Sequence, residues 1–325
     1  MRKTITLVIA SLVMLALIVV SLSVGAVSIP LREAGAGLLD DSSRFYFIVH
    51  EIRLPRVIVG VLSGCGLAVA GSILQSLVRN PLASPDVIGI TQGAGFAAAA
   101  VIFLFPASPV YLLPLAAFAG AVAAFLILLA LSRRLTLAPS SLALSGVAVG
   151  AAFQAGTQYL IVTNPTNINM ALLWMSGSLW SRGWSQVSYL LPAVAVLLFL
   201  AWGSSAKLNV LRLGRETSIS LGLHMVRERF GLFLLAVALA GVSVSAVGSI
   251  GFIGLLAPHI ARRLIGNGNR WLLPLAAIIG ANIMLLGDCL GRMIVIPREV
   301  PAGIMTALIG APYFLYLLRR ERKRG

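Results

Sequence analysis

Few side chains in this chain could do chemistry, and their spacing limits what that chemistry is. The only acid in the interior of an apolar run is Asp288, four residues before Arg292. One helical turn brings those two together as an ion pair. Two more arginines, Arg53 and Arg56, bracket Leu54-Pro55 at the head of another apolar run. Uncharged polar residues inside such runs are more plentiful: Gln75, Gln92, Gln154, Gln158 and Asn282. Each must find a partner or face a water-filled path. His50, His224 and His259 lie far apart without partners at ligand spacing, so no metal site is expected. Cys65 and Cys289 both fall in apolar runs and imply neither a disulfide framework nor a metal site. The lysines are Lys3, Lys207 and Lys323, none in the Gly-rich context that holds nucleotide phosphates. The chain therefore cannot bind ATP in that way.

The elements that carry these residues are set by composition. Hydrophobic residues make up 59% of the chain and charged residues 11%. A soluble domain carries about twice that charged fraction, so the chain reads as an integral membrane protein. Long runs of aliphatic residues, Ala and Gly make its spans helical. The net charge of +15 suggests nucleic-acid binding. The basic residues are scattered between apolar runs rather than gathered on one soluble face, which excludes it. Met1-Arg2-Lys3 and the apolar run to about Val24 resemble a signal peptide, but the run is long and more follow, so it reads as an uncleaved first helix.

Apolar runs and breakers predict ten spans, at 4–26, 57–78, 86–105, 111–132, 140–163, 187–203, 230–248, 250–265, 271–290 and 301–318. With both termini in the cytoplasm, eighteen of the 25 basic residues fall inside and seven outside, as the positive-inside rule requires. Residues 1–325 are then one membrane domain. In the second span Gly60, Gly64 and Ala68 recur every fourth residue, followed by Gly66 and Gly71, a pattern that lets a neighbouring backbone approach. Ser84, Pro85 and Asp86 have the types of a helix start and predict one for the third span. Trp174, Trp180 and Trp184 mark a membrane interface. The internal segment 204–229 reads as short amphipathic helices broken at Gly214 and Gly222. Such a segment either lies on the bilayer or docks a partner.

Several stretches together resemble one family, the permease subunits of ABC importers for iron-siderophores, haem and cobalamin. They include R-L-P-R at Arg53–Arg56, N-P-L-A-S-P-D at Asn80–Asp86, W-M-S-G-S-L at Trp174–Leu179 and L-N-V-L-R-L-G-R-E at Leu208–Glu216. G-F-I-G-L-L-A-P-H-I-A-R-R at Gly251–Arg263 and the segment Glu299–Leu318 complete the resemblance. It implies a type II importer permease fold of ten helices, paired with a second permease subunit around a central path. Two separate ATP-binding subunits would sit below, and an extracytoplasmic substrate-binding protein would deliver cargo. Membrane lipid would surround the whole, and neither a resident cofactor nor catalysis by this chain is implied.

On the family pattern Arg53, Arg56 and Arg292 would grip the binding protein. Leu213, Gly214, Glu216, Leu221 and Gly222 would couple to the ATPase, although Arg215 stands where the family often has a second acid. Pro139, Ser140 and Ser141 would form an inner gate. Gly64, Gly66, Gly71, Gln75 and Gln92 are expected to line the path. The expected activity is import of a ferric siderophore across the bacterial cytoplasmic membrane by alternating access. Haem and cobalamin are the alternatives within the family. An ion-coupled secondary transporter and a passive channel are the alternatives outside it. The former would place carboxylates or histidines in mid-span, and none is evident.

Overall fold

A computed structural model describes residues 2–131 and 139–322. Its elements in chain order are α1 (Arg2–Ser23), α2 (Leu31–Leu39), α3 (Leu54–Val78), α4 (Ile90–Leu104), α5 (Leu112–Leu131), α6 (Pro139–Thr163) and α7 (Ile168–Met175). The second half follows with α8 (Trp184–Gly203), α9 (Ser205–Leu211), α10 (Arg215–Ser220), α11 (Met225–Val247), α12 (Ile253–Ile265), α13 (Asn269–Ile294) and α14 (Ala302–Arg322). A π-helical stretch, Phe47–Arg53, runs without a break into α3. Among the described residues six helices are long and apolar enough to cross a membrane: α1, the continuous Phe47–Val78 helix, α5, α8, α11 and α13. Helices α4, α6, α12 and α14 occupy the four other stretches expected to span.

The helix beginning at Phe47 is the centre of the bundle. In its most apolar window 78% of the residues are buried, against 11% in α1. Between apolar helices in lipid, close packing does the work that hydrophobic burial does in water. The glycines of α3 supply that packing. A side chain on Gly64 would lie 2.6 Å from the Gly280 carbonyl oxygen of α13. One on Gly66 would strike the Ser243 hydroxyl of α11, and one on Gly71 the Gly254 carbonyl of α12. Three glycines thus admit three neighbours. Asn282 adds a polar tie, donating from Nδ2 to the Ala10 carbonyl of α1 at 3.1 Å.

Two local expectations are corrected. The third span does not begin at Ser84–Asp86. Those residues form a turn in which the Ser84 hydroxyl accepts from the Val87 N–H at 3.4 Å. Gly89, at φ +85°, then reorients the chain, and α4 starts at Ile90. A residue in that left-handed region interrupts a helix, so capping chemistry at Ser84 serves the turn instead. Trp174 does not face the interface either. It is buried at the end of α7, whereas Trp180 and Trp184 remain exposed.

Candidate functional site

At one end of the bundle five charges converge. Pro55 sits in the first turn of α3, just after the π-helical stretch, and has no N–H to give to the turn before it. The unbroken helix around it puts Arg53 and Arg56 on one face. Arg56 holds Asp288 of α13, with Nη2 at 2.7 Å and Nε at 3.1 Å from Oδ1. Its Nη2 also lies 2.8 Å from Glu299. Arg292 pairs with the other oxygen of Asp288, Nε to Oδ2 at 3.1 Å. The predicted Asp288–Arg292 pair is therefore present, and Arg56 is a third member that sequence spacing could not reveal.

The remaining donors go to the end of α1, whose last carbonyls lack partners inside the helix. Arg292 Nη1 donates to Ser21 at 3.0 Å and to Val24 at 2.7 Å. Arg53 donates to the carbonyls of Leu22, at 2.7 Å, and of Val27. These bonds draw all three arginines into the interior of the cluster. Arg53, Arg56 and Arg292 are only 6%, 9% and 3% exposed. Two of them are committed to Asp288. Among the described residues Arg53 alone of the three forms no ion pair; backbone carbonyls hold its guanidinium instead.

The residues expected to line a path separate into two groups. Gly64, Gly66 and Gly71 face other helices of the same chain with no room for a side chain, so they are packing positions rather than path walls. Gln75 is buried too, and its place has a local cause. Pro258 inside α12 has no N–H to give to the carbonyl four residues earlier, which is that of Gly254. Gln75 Nε2 lies 3.4 Å from that oxygen and 3.3 Å from the Leu255 oxygen. Its Oε1 accepts from Arg262. Gln92 is half-buried, accepts from the Thr91 hydroxyl at 3.0 Å, and lies beside Gly150 of α6. By contrast Gln154 and Gln158 stand exposed on α6, one turn apart, on a helix that also exposes Leu144, Val147 and Tyr159. The pattern of four glutamines was visible in sequence, but which of them face outward was not.

At the other end of the bundle lies the segment expected to couple. Helix α10 is six residues long, with Gly214 at φ +122° before it and Gly222 at φ +82° after it. Few residues other than glycine accept such angles. Ser218 anchors α10 inward, its hydroxyl donating to Val210 at 3.0 Å and Gly214 at 2.5 Å. Leu213, Ile219 and Leu221 stand exposed around it, and Glu216 is exposed in its first turn. The base is tied to three long helices. Lys207 pairs with Glu228 of α11 at 2.8 Å. Asn209 Oδ1 accepts from the Asn269 side-chain amide of α13 at 2.9 Å. Arg79, just past α3, donates to Leu211 at 2.9 Å. Helix α6 begins at Pro139, and the side chains of Pro139, Ser140 and Ser141, the expected gate, lie outside the described residues.

Comparison with known proteins gives the same outline. The sequence model of the FecCD transport family matches residues 13–320. The Fe(3+)-citrate import system permease protein YfmE of Bacillus subtilis is 50% identical, over 99% of this chain and 97% of that protein. The Fe(3+) dicitrate transport system permease protein FecD of Escherichia coli is 42% identical, over 93% and 94%. A solved structure described as an inward-facing conformation of a metal-chelate type ABC transporter superimposes with a TM-score of 0.87. It is 28% identical, over 97% of this chain and 98% of that one.

Proposed function

The chain belongs to the FecCD transport family, and from that premise we propose that it is the permease through which an ATP-driven importer moves a ferric chelate, with ferric citrate as its cargo. It is a multi-pass protein of the bacterial cytoplasmic membrane. The cargo is narrower than the ferric siderophores expected from sequence. Its support is the citrate named in the two relatives above, one of them identical at half its positions.

The observation that carries the mechanism is the shape of residues 204–229. A short helix with exposed leucines protrudes between two left-handed glycines, on a base tied to α3, α11 and α13. Such a feature suits docking into a separate ATPase, since this chain lacks a phosphate loop of its own. Closure of two ATPase subunits would push α10, and its tethers would rock the long helices as rigid bodies. On this reading ten helices cross the membrane with both termini inside. A second permease subunit covers the open face of α6, so that Gln154 and Gln158 line the path between the two. The binding protein docks at the outer end, where the positive charge of Arg53 attracts a carboxylate.

Cargo is tested with the assembled transporter in its native membrane. Uptake of labelled ferric citrate should be competed by unlabelled ferric citrate and not by ferric hydroxamates, haem or cobalamin. Competition by one of the latter in place of citrate overturns the cargo assignment.

A further inference from the structure

A second cluster of arginines lies at the end of the bundle opposite Asp288. A cavity of about 310 Å³ is lined there by Gln75, Ser76, Arg79, Pro81, Arg212 and Arg262. That is the lower edge of the size range of small-ligand pockets. Three of the six lining residues are arginines and none is an acid. Among the described residues none of the three forms an ion pair.

Capping explains part of this arrangement. Arg79 donates to the Leu211 carbonyl at 2.9 Å, Arg212 to the Asn267 carbonyl at 2.8 Å, and Arg262 to Gln75 Oε1. Each of these bonds uses one N–H of a group that carries five. Arg262 Nε is buried and has no partner among the described residues. Arg212 lies close enough for the two like charges to repel. Buried donors are almost always satisfied, and a buried charge without a counter-charge is costly.

We propose that this cavity binds a phosphate group through Arg79, Arg212 and Arg262. Guanidinium forks match the paired oxygens of a phosphate. A basic pocket where helices end is also where an anionic lipid headgroup can reach. The phosphate is supplied either by such a lipid or from solution. The inference does not depend on the transport reading.

The test is native mass spectrometry of the purified full chain in mild detergent. Phosphatidylglycerol and phosphatidylcholine are added in turn, each with and without millimolar inorganic phosphate. Phosphatidylglycerol should be retained about tenfold more strongly than phosphatidylcholine. The double variant Arg212→Gln/Arg262→Gln should abolish that preference, while Arg263→Gln on the neighbouring exposed surface leaves it. Displacement of the lipid by inorganic phosphate identifies the dissolved anion as the occupant, and persistence of the lipid identifies the headgroup. If the double variant does not fold, Arg262→Lys keeps the charge but loses the fork, and should reduce the preference several-fold. Equal retention of the two lipids with no phosphate adduct, or a preference that survives loss of the arginines, overturns the proposal.

Discussion

Asp288 stands between two guanidiniums, and each of its oxygens is spoken for. Removing it leaves Arg56 and Arg292 buried with fewer partners than charges. Breaking a buried pair in this way costs about 3–5 kcal/mol. Asp288→Ala should therefore lower the thermal unfolding temperature of the solubilised protein sharply. Arg53→Gln, which keeps a donor for the Leu22 carbonyl, should melt close to the parent yet weaken binding-protein attachment and flatten its salt dependence. If Arg53→Gln leaves both affinity and salt dependence unchanged, the docking assignment is wrong. At this scale the sequence was half legible. The Asp288–Arg292 pair follows from a four-residue spacing. Arg56, 232 residues from Asp288, could be joined to it only by the fold.

At the scale of elements, the α3–α12 contact shows how one residue's backbone defect sets another's side chain. Pro258 leaves the Gly254 oxygen without a helical donor, and Gln75 lies against it. Gln75→Leu should cost about 1–3 kcal/mol in the parent, the penalty of an unpaired buried acceptor. In a Pro258→Ala background the helix can make its own bond, and the same substitution should cost measurably less. Additive losses in a double-mutant cycle of melting temperatures would show that the two residues are not coupled.

Helix α10 makes a second prediction at this scale. Leu213→Asp with Leu221→Asp changes only exposed side chains, so expression and melting should hold while ATPase attachment falls at least tenfold, read by co-purification. Undiminished attachment would place the ATPase contact elsewhere. The six long apolar helices were readable because a 20-residue apolar run has few alternatives. The start of α4 was not, because Ser84-Pro85-Asp86 has the chemistry of a helix cap and only Gly89 reveals that the turn continues. The glycines of α3 were readable as close-approach positions, but which surface approached them was not. Small residues suit both a packed helix and the wall of a path, and Gly280, Ser243 and Gly254 decide for packing.

For the molecule as a whole, the charges sort themselves by end. The cluster at Asp288 has buried carboxylates to hold its arginines, and the one at the opposite end has none among the residues lining its cavity. Between them the described spans carry neutral polar groups that are largely spent on helix contacts, as at Gln75 and Asn282. Among the described residues no ion pair lies along that length. Gln154 and Gln158 stand exposed on α6, the face proposed to line the path.

Uptake into proteoliposomes decides where the energy for transport comes from. Vesicles holding the permease, its ATPase and its binding protein should accumulate labelled ferric citrate when ATP is present on the ATPase side. They should accumulate none without ATP, whatever proton or sodium gradient is imposed. Accumulation driven by an ion gradient alone, with no ATPase bound, would contradict ATP-driven import.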